Sequence, residues 1–134
     1  MNRFIPLWLW ASAATFAWIA IYFLVLPHEA AQAIDLTLTT DTALTDVQAT
    51  YGGMVLGVTL LWIWAALHPD RYTAGLWSMV FIYGCLALGR LVAIAGGAQP
   101  KQLIWIFLGI ELVVTVVSAW LIHRKRLIHS QTPQ

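Results

Sequence analysis

Apolar residues run almost without interruption through four stretches of the chain, and polar residues gather between them. Phe4 to Leu26 is 23 residues without a charge. As a helix it reaches about 34 Å, enough for a hydrocarbon core of roughly 30 Å. Tyr51 to Leu67 is also uncharged, but alone it reaches only about 25 Å. Its helix is therefore expected to begin earlier, with Thr40 or Asp41 as N-cap and with Leu44, Val47 and Tyr51 on one face. The third stretch, Ala74 to Ala95, contains Arg90, and the fourth, Leu103 to Ile122, contains Glu111. Lipid cannot satisfy free backbone groups and no barrel-like alternation runs through these segments, so they are read as helices. The prediction is an all-α integral membrane four-helix bundle, one transmembrane domain over residues 1–134. Its spans lie near 4–26, 51–67, 74–95 and 103–122.

A competing reading makes the first stretch a cleaved signal peptide, with Arg3 as its basic start and Ala11-Ser12-Ala13 as its cleavage site. The apolar run continues past that site to Leu26, so a retained first helix is preferred. The connections are unequal. His68 to Thr73 is a tight turn with Pro69, and Gly96 to Gln102 is a second one with Gly96, Gly97 and Pro100. The second turn makes helices three and four an antiparallel hairpin. The loop over residues 27–50 is too long to be structureless, so part of it is expected to be helical or to lie on the bilayer surface. The tail from Leu127 to Gln134 reads as frayed and solvated.

Composition narrows the class. Of 134 residues 60% are hydrophobic and 10% charged, and the mean hydropathy is +0.77. Soluble domains carry about 25% charge. A net charge of +1 and a single cysteine, Cys85, exclude a nucleic-acid binder, a disordered chain and a disulfide-rich module.

The few charges give an orientation. With four spans, Arg3, Arg71, Arg124, Lys125 and Arg126 fall on one side and Lys101 alone on the other. The excess of positive charge marks the cytoplasmic side, which places both termini inside a cell (inner) membrane and the 27–50 loop outside. Trp8, Trp10, Trp62, Trp64, Trp77 and Trp120 lie near the cytoplasmic helix ends, and Trp105 and Tyr22 near the outer ones, as interfacial rings prefer.

Arg90 and Glu111 are the two charges left inside the spans. Such a charge costs roughly 2.5–3.5 kcal/mol at the bilayer centre on insertion scales, so it persists when paired, near an interface or used. Their midpoint in the sequence falls on Pro100-Lys101, the apex of the turn. In an antiparallel hairpin they therefore share a depth, on the order of 9 Å from the helix ends. The bland reading is a salt bridge that fixes helix register. The functional reading is a polar pocket lined by Arg90, Glu111 and Tyr51.

Other polar residues fall into stripes: Glu111, Thr115 and Ser118; Ser12, Thr15 and Tyr22; Tyr83 below Arg90; Thr59 and Tyr51. For the hydroxyls, bonding within or between helices is the simpler reading. The small residues are read as packing surfaces. Gly53 and Gly57 form a GxxxG next to Gly52, Ala13, Ala17 and Ala20 form a stripe as its partner, and Gly84, Ala87 and Gly89 flank Arg90. Cys85, with no second thiol, is read as a small buried apolar residue. The histidines fall on both sides of the membrane, without metal or haem spacing, and no phosphate-binding glycine loop is present. No metal or cofactor is implied.

Ala49-Thr50-Tyr51-Gly52-Gly53 opening the second helix, Leu88-Gly89-Arg90-Leu91 on the third and Glu111-Leu112 on the fourth resemble a family of small four-helix bacterial membrane proteins of unknown function. The resemblance runs from the first helix to the fourth. Where that family's pattern carries a basic residue shortly before Tyr-Gly-Gly, this chain reads Asp46-Val47-Gln48. The resemblance implies that Tyr51-Gly52-Gly53, Arg90 and Glu111 belong to one unit, and it supplies no activity.

Three functions fit these residues. The first is a non-catalytic membrane protein whose partners are the lipid bilayer and a hydrophobic ligand or membrane-protein partner. The second is a small oligomeric transporter or channel. The third is a membrane enzyme using Glu111 as acid or base, with Arg90 and Tyr51 stabilising an anion. It is the weakest, because a neighbouring guanidinium gives the carboxylate the role of counter-ion.

Overall fold

The computed structural model describes residues 3–130, with side chains described through residue 125. Every regular element among the described residues is helical. In chain order they are α1 (Phe4–Val25), α2 (Pro27–Ala33), α3 (Asp41–Val47), a π-helical segment (Gln48–Met54), α4 (Val55–Ala66), a short 3-10 turn (Pro69–Arg71), α5 (Tyr72–Ala95) and α6 (Gln102–Ser130). Four helical stretches are long and apolar enough to cross a membrane: Phe4–Val25, Asp41–Ala66, Pro69–Ala95 and Gln102–Lys125. The chain is a multi-pass, all-α membrane protein.

Burial differs from that of a soluble helix. The inward positions mix small and mildly polar residues, among them Ser12, Ala13, Ala20, Thr59, Ala65, Ala87 and Ser118, with large apolar ones such as Leu9, Trp62, Leu76 and Met79, while Leu7, Trp18, Val25, Val92 and Val116 stand on the outside. Lipid tails are as apolar as leucine, so a large apolar side chain that faces another helix gains packing contacts and not release from water. Small ones let backbones approach and gain dispersion contacts.

The chain divides into two compact units, residues 1–72 and 73–134. In the first, α1 packs on α4 and on the π-helical segment. Phe16 meets Trp62 with ring centroids 4.6 Å apart. Trp62 is fully buried, which corrects its expected place at the membrane interface; its indole packs on the Phe16 ring of α1. Thr40 caps the second spanning stretch, its Oγ1 accepting the Ala43 N–H at 3.1 Å, so the span starts well before Tyr51.

Part of the 27–50 loop is helical, as expected. α2 begins on Pro27, a residue suited to a first helical turn. It ends in a Schellman-type closure: Asp35 N–H donates to Gln32 O (3.0 Å) and Leu36 N–H to Ala31 O (2.9 Å), with Asp35 left-handed at φ 61°. Phe23, Ala30 and Val47 form a small core there, covered by Ile19, Tyr22, Ile34 and Leu38.

The π-helical segment alters the predicted face of the second span. Val47 is buried, but the next buried residue is Gly52 and not Tyr51, and the buried row continues through Thr59, Trp62 and Ala66. The step of five from Val47 to Gly52 is one wider turn, in which each N–H reaches back five residues. That turn puts a glycine at the closest approach to α1. A Cβ at Gly52 would lie 2.6 Å from Leu24 Cδ2 and 3.7 Å from the Ala20 carbonyl. Gln48 Nε2 donates to the Leu24 carbonyl at 3.1 Å, satisfying an acceptor that the end of α1 leaves open.

The expected GxxxG contact is not where the sequence put it. A Cβ at Gly57 would meet nothing within 4 Å, and one at Gly53 only the Gln48 carbonyl at 4.0 Å. The wide turn rotates that pair away from α1 and gives its role to Gly52. The expected frayed tail begins as helix through Ser130; its last residues, and the side chains of Arg126 and His129, lie outside the described residues.

Candidate functional site

In the second unit, α5 buries Leu76, Met79, Tyr83 and Ala87, and Arg90 is the next position on that row. α6 buries Leu108, Glu111, Val114, Ser118 and Leu121. The i, i+3, i+4 spacing of both rows gives each helix one inward face. Three further contacts fix the register. Lys125 Nζ donates to Thr73 Oγ1 at 2.9 Å, Ser118 Oγ lies 3.9 Å from Met79 Sδ, and a Cβ at Gly84 would stand 3.7 Å from Thr115 Cγ2. These pairs centre on the same connection, so α5 and α6 are an antiparallel hairpin.

The connection is built for a tight reversal. Gly97 has φ 98°, a conformation that only glycine adopts freely. Its N–H donates to Ile94 O (3.0 Å), and Ala98 N–H donates to Ala93 O (3.1 Å), which is a complete Schellman closure.

Arg90 and Glu111 meet across this hairpin, their long side chains bridging a small offset in the register. Arg90 Nε donates to Glu111 Oε1 at 2.9 Å and to Oε2 at 3.0 Å. The two side chains are 27% and 6% exposed, so the carboxylate is enclosed and the guanidinium is not. The Arg90 guanidinium carbon also stands 5.5 Å from the centroid of Phe107. Phe107 is one turn from Glu111 on α6 and gives the cation a second, electrostatic partner. Sequence reasoning missed it, although an aromatic four residues before a membrane-embedded carboxylate was a usable signal.

Tyr51 lies in the first unit, 39% exposed and stacked on Phe23 at 4.9 Å. Its neighbour Gly52 carries the tight helix contact, while Gly53, Gly57 and Gly89 are exposed, and a Cβ at Gly89 would touch nothing within 4 Å. Cys85 is exposed and free, not buried as expected, because it lies across α5 from the row containing Tyr83 and Ala87.

Three of the stripe hydroxyls make local bonds. Thr15, Thr59 and Thr115 donate to the carbonyls of Ala11 (3.0 Å), Val55 (3.0 Å) and Glu111 (2.7 Å), the back-bonding that helical threonines adopt. An open depression of about 450 Å³ lies against Asp41, Thr42, Thr45, Asp46 and Ala49, and its lining contains neither Arg90 nor Glu111. Among the described residues, no three of His, Cys, Asp and Glu gather as metal ligands.

Comparison with known proteins gives a family. The model of a domain of unknown function, DUF4345, matches residues 5–122. The chain belongs to this family. The matched span runs from the start of α1 into α6 and includes Tyr51-Gly52-Gly53, Arg90 and Glu111, in agreement with the resemblance read from those motifs. No curated protein and no solved structure matches the chain.

Proposed function

We propose that this member of the DUF4345 family is a non-catalytic protein of a bacterial inner membrane. In this reading both termini are cytoplasmic and the protein binds a hydrophobic membrane component, either a lipid or the spanning segment of a partner protein. The observation that carries the reading is the half-open ion pair. Glu111 is enclosed and both its oxygens accept from Arg90 Nε, while the arginine side chain stays partly exposed. An ionised side chain within a span is by default a functional position. A carboxylate held in this way is a counter-ion and an anchor, which favours binding over acid–base chemistry.

The orientation rests on the excess of basic residues on one set of loops and on the aromatic partners beside them. Arg71 lies 4.5 Å from the Trp64 ring centroid and Arg124 lies 4.8 Å from that of Trp120, pairings suited to an anchored interface. The test is isolation of the full chain from native membranes in mild detergent, followed by mass spectrometry of what accompanies it. A recurrent lipid or membrane protein is expected, lost when Arg90 and Glu111 are replaced together. Purification without either would overturn the reading.

A further inference from the structure

The exposed edge of Arg90 has a chemistry of its own, and its interpretation rests on the binding reading above. A guanidinium carries five N–H donors. Glu111 engages only Nε, and no described residue accepts from either terminal Nη amine. The side chain is 27% exposed, so these donors open to the surroundings of the hairpin. Phe107 lies one turn nearer the connection than Glu111, and the guanidinium contacts both, so the cation lies between the two levels. Arg90 starts about 7.5 Å from the end of α5 at Ala95, a depth from which an arginine stem brings its head to the membrane interface. Charged donors left unmet in hydrocarbon are costly. The acceptors available at that level of a bilayer are ester carbonyl and phosphate oxygens.

We propose that the Nη edge of Arg90 binds a phosphate-class oxyanion, with Glu111 as the positioning residue that holds the guanidinium plane from the Nε side. Two parallel N–H groups match two oxygens of a phosphate, a fit that the point charge of lysine does not reproduce. The same chemistry is offered by a phospholipid headgroup and by free phosphate.

The full chain in mild detergent is mixed separately with dioleoylphosphatidylglycerol, with dioleoylglycerol, which lacks the phosphate, and with inorganic phosphate. Retention is read by native mass spectrometry. The unaltered chain is expected to retain the phospholipid at least about tenfold better than dioleoylglycerol, the factor that one charge-assisted hydrogen-bond pair supplies. Arg90→Lys should lose most of that preference, and the double variant Arg90→Leu/Glu111→Leu all of it; size-exclusion chromatography identifies the variants that fold. Retention of inorganic phosphate, lost in the same variants, would assign the site to the free anion. Equal retention of the two lipids overturns the headgroup site and leaves hydrophobic binding standing, as does undiminished preference in a folded variant. Retention of no lipid and no protein partner removes the underlying reading as well.

Discussion

Gly52 and Leu24 touch so closely that a single methyl group at position 52 would sit 2.6 Å from Leu24 Cδ2 and 2.7 Å from Leu24 Cγ. The wide π-turn brings the only side-chain-free position of that row to the contact between the first and second spans. Gly52→Ala is therefore expected to destabilise the protein by about 1 kcal/mol, the low end of the range for overpacking, because Leu24 is partly exposed and its side chain can turn aside. Gly57→Ala, with open space around it, should be neutral or slightly stabilising through helix propensity. Thermal unfolding in detergent distinguishes the two. Shortening Leu24 in the Gly52→Ala background should recover part of the loss.

Trp62 and Trp64 make a second contrast. Trp62 is fully buried and Trp64 is 47% exposed, two residues further along the same helix. Trp62→Ala should lower stability by about 3–5 kcal/mol, as for other enclosed aromatics. Trp64→Ala should change it little in detergent, since its ring meets Arg71 at the surface. A comparable loss in both would contradict the packing of α1 on α4.

Cys85 is the single cysteine of the chain and is exposed on α5, midway along a spanning helix. In a bilayer a position at that depth lies in hydrocarbon, which a charged reagent enters only at high cost. A charged maleimide should leave it unlabelled in intact membranes and label it after solubilisation in dodecyl sulfate. Fast labelling in the membrane would place α5 outside the hydrocarbon.

Much of this was legible in the sequence because a membrane restricts the options. Unbroken apolar runs must be helices, and Thr40-Asp41 marked where the second began, with Thr40 the cap. The pairing of Arg90 with Glu111 followed from their even spacing about Pro100-Lys101, although the other contacts of the hairpin centre near residue 99. The wide turn was not legible, since a regular helix carries Val47 to Tyr51 and only the distant row of Thr59, Trp62 and Ala66 reveals the extra residue. That one residue also misplaced the GxxxG contact. Trp62 and Cys85 were misassigned for a related reason: proximity to a helix end, or small size, does not say which face of the helix a residue occupies.

The most direct test is a double-mutant cycle on Arg90 and Glu111, with unfolding measured in detergent. Arg90→Leu and Glu111→Leu should each destabilise the protein, Glu111→Leu by less because Arg90 keeps an exposed edge. Removing one partner of a buried pair costs about 3–5 kcal/mol. The double variant should be more stable than the sum of the single losses by about 0.5–3 kcal/mol, the coupling expected of residues in direct contact. Strictly additive losses would contradict the ion pair on which the account of this hairpin rests.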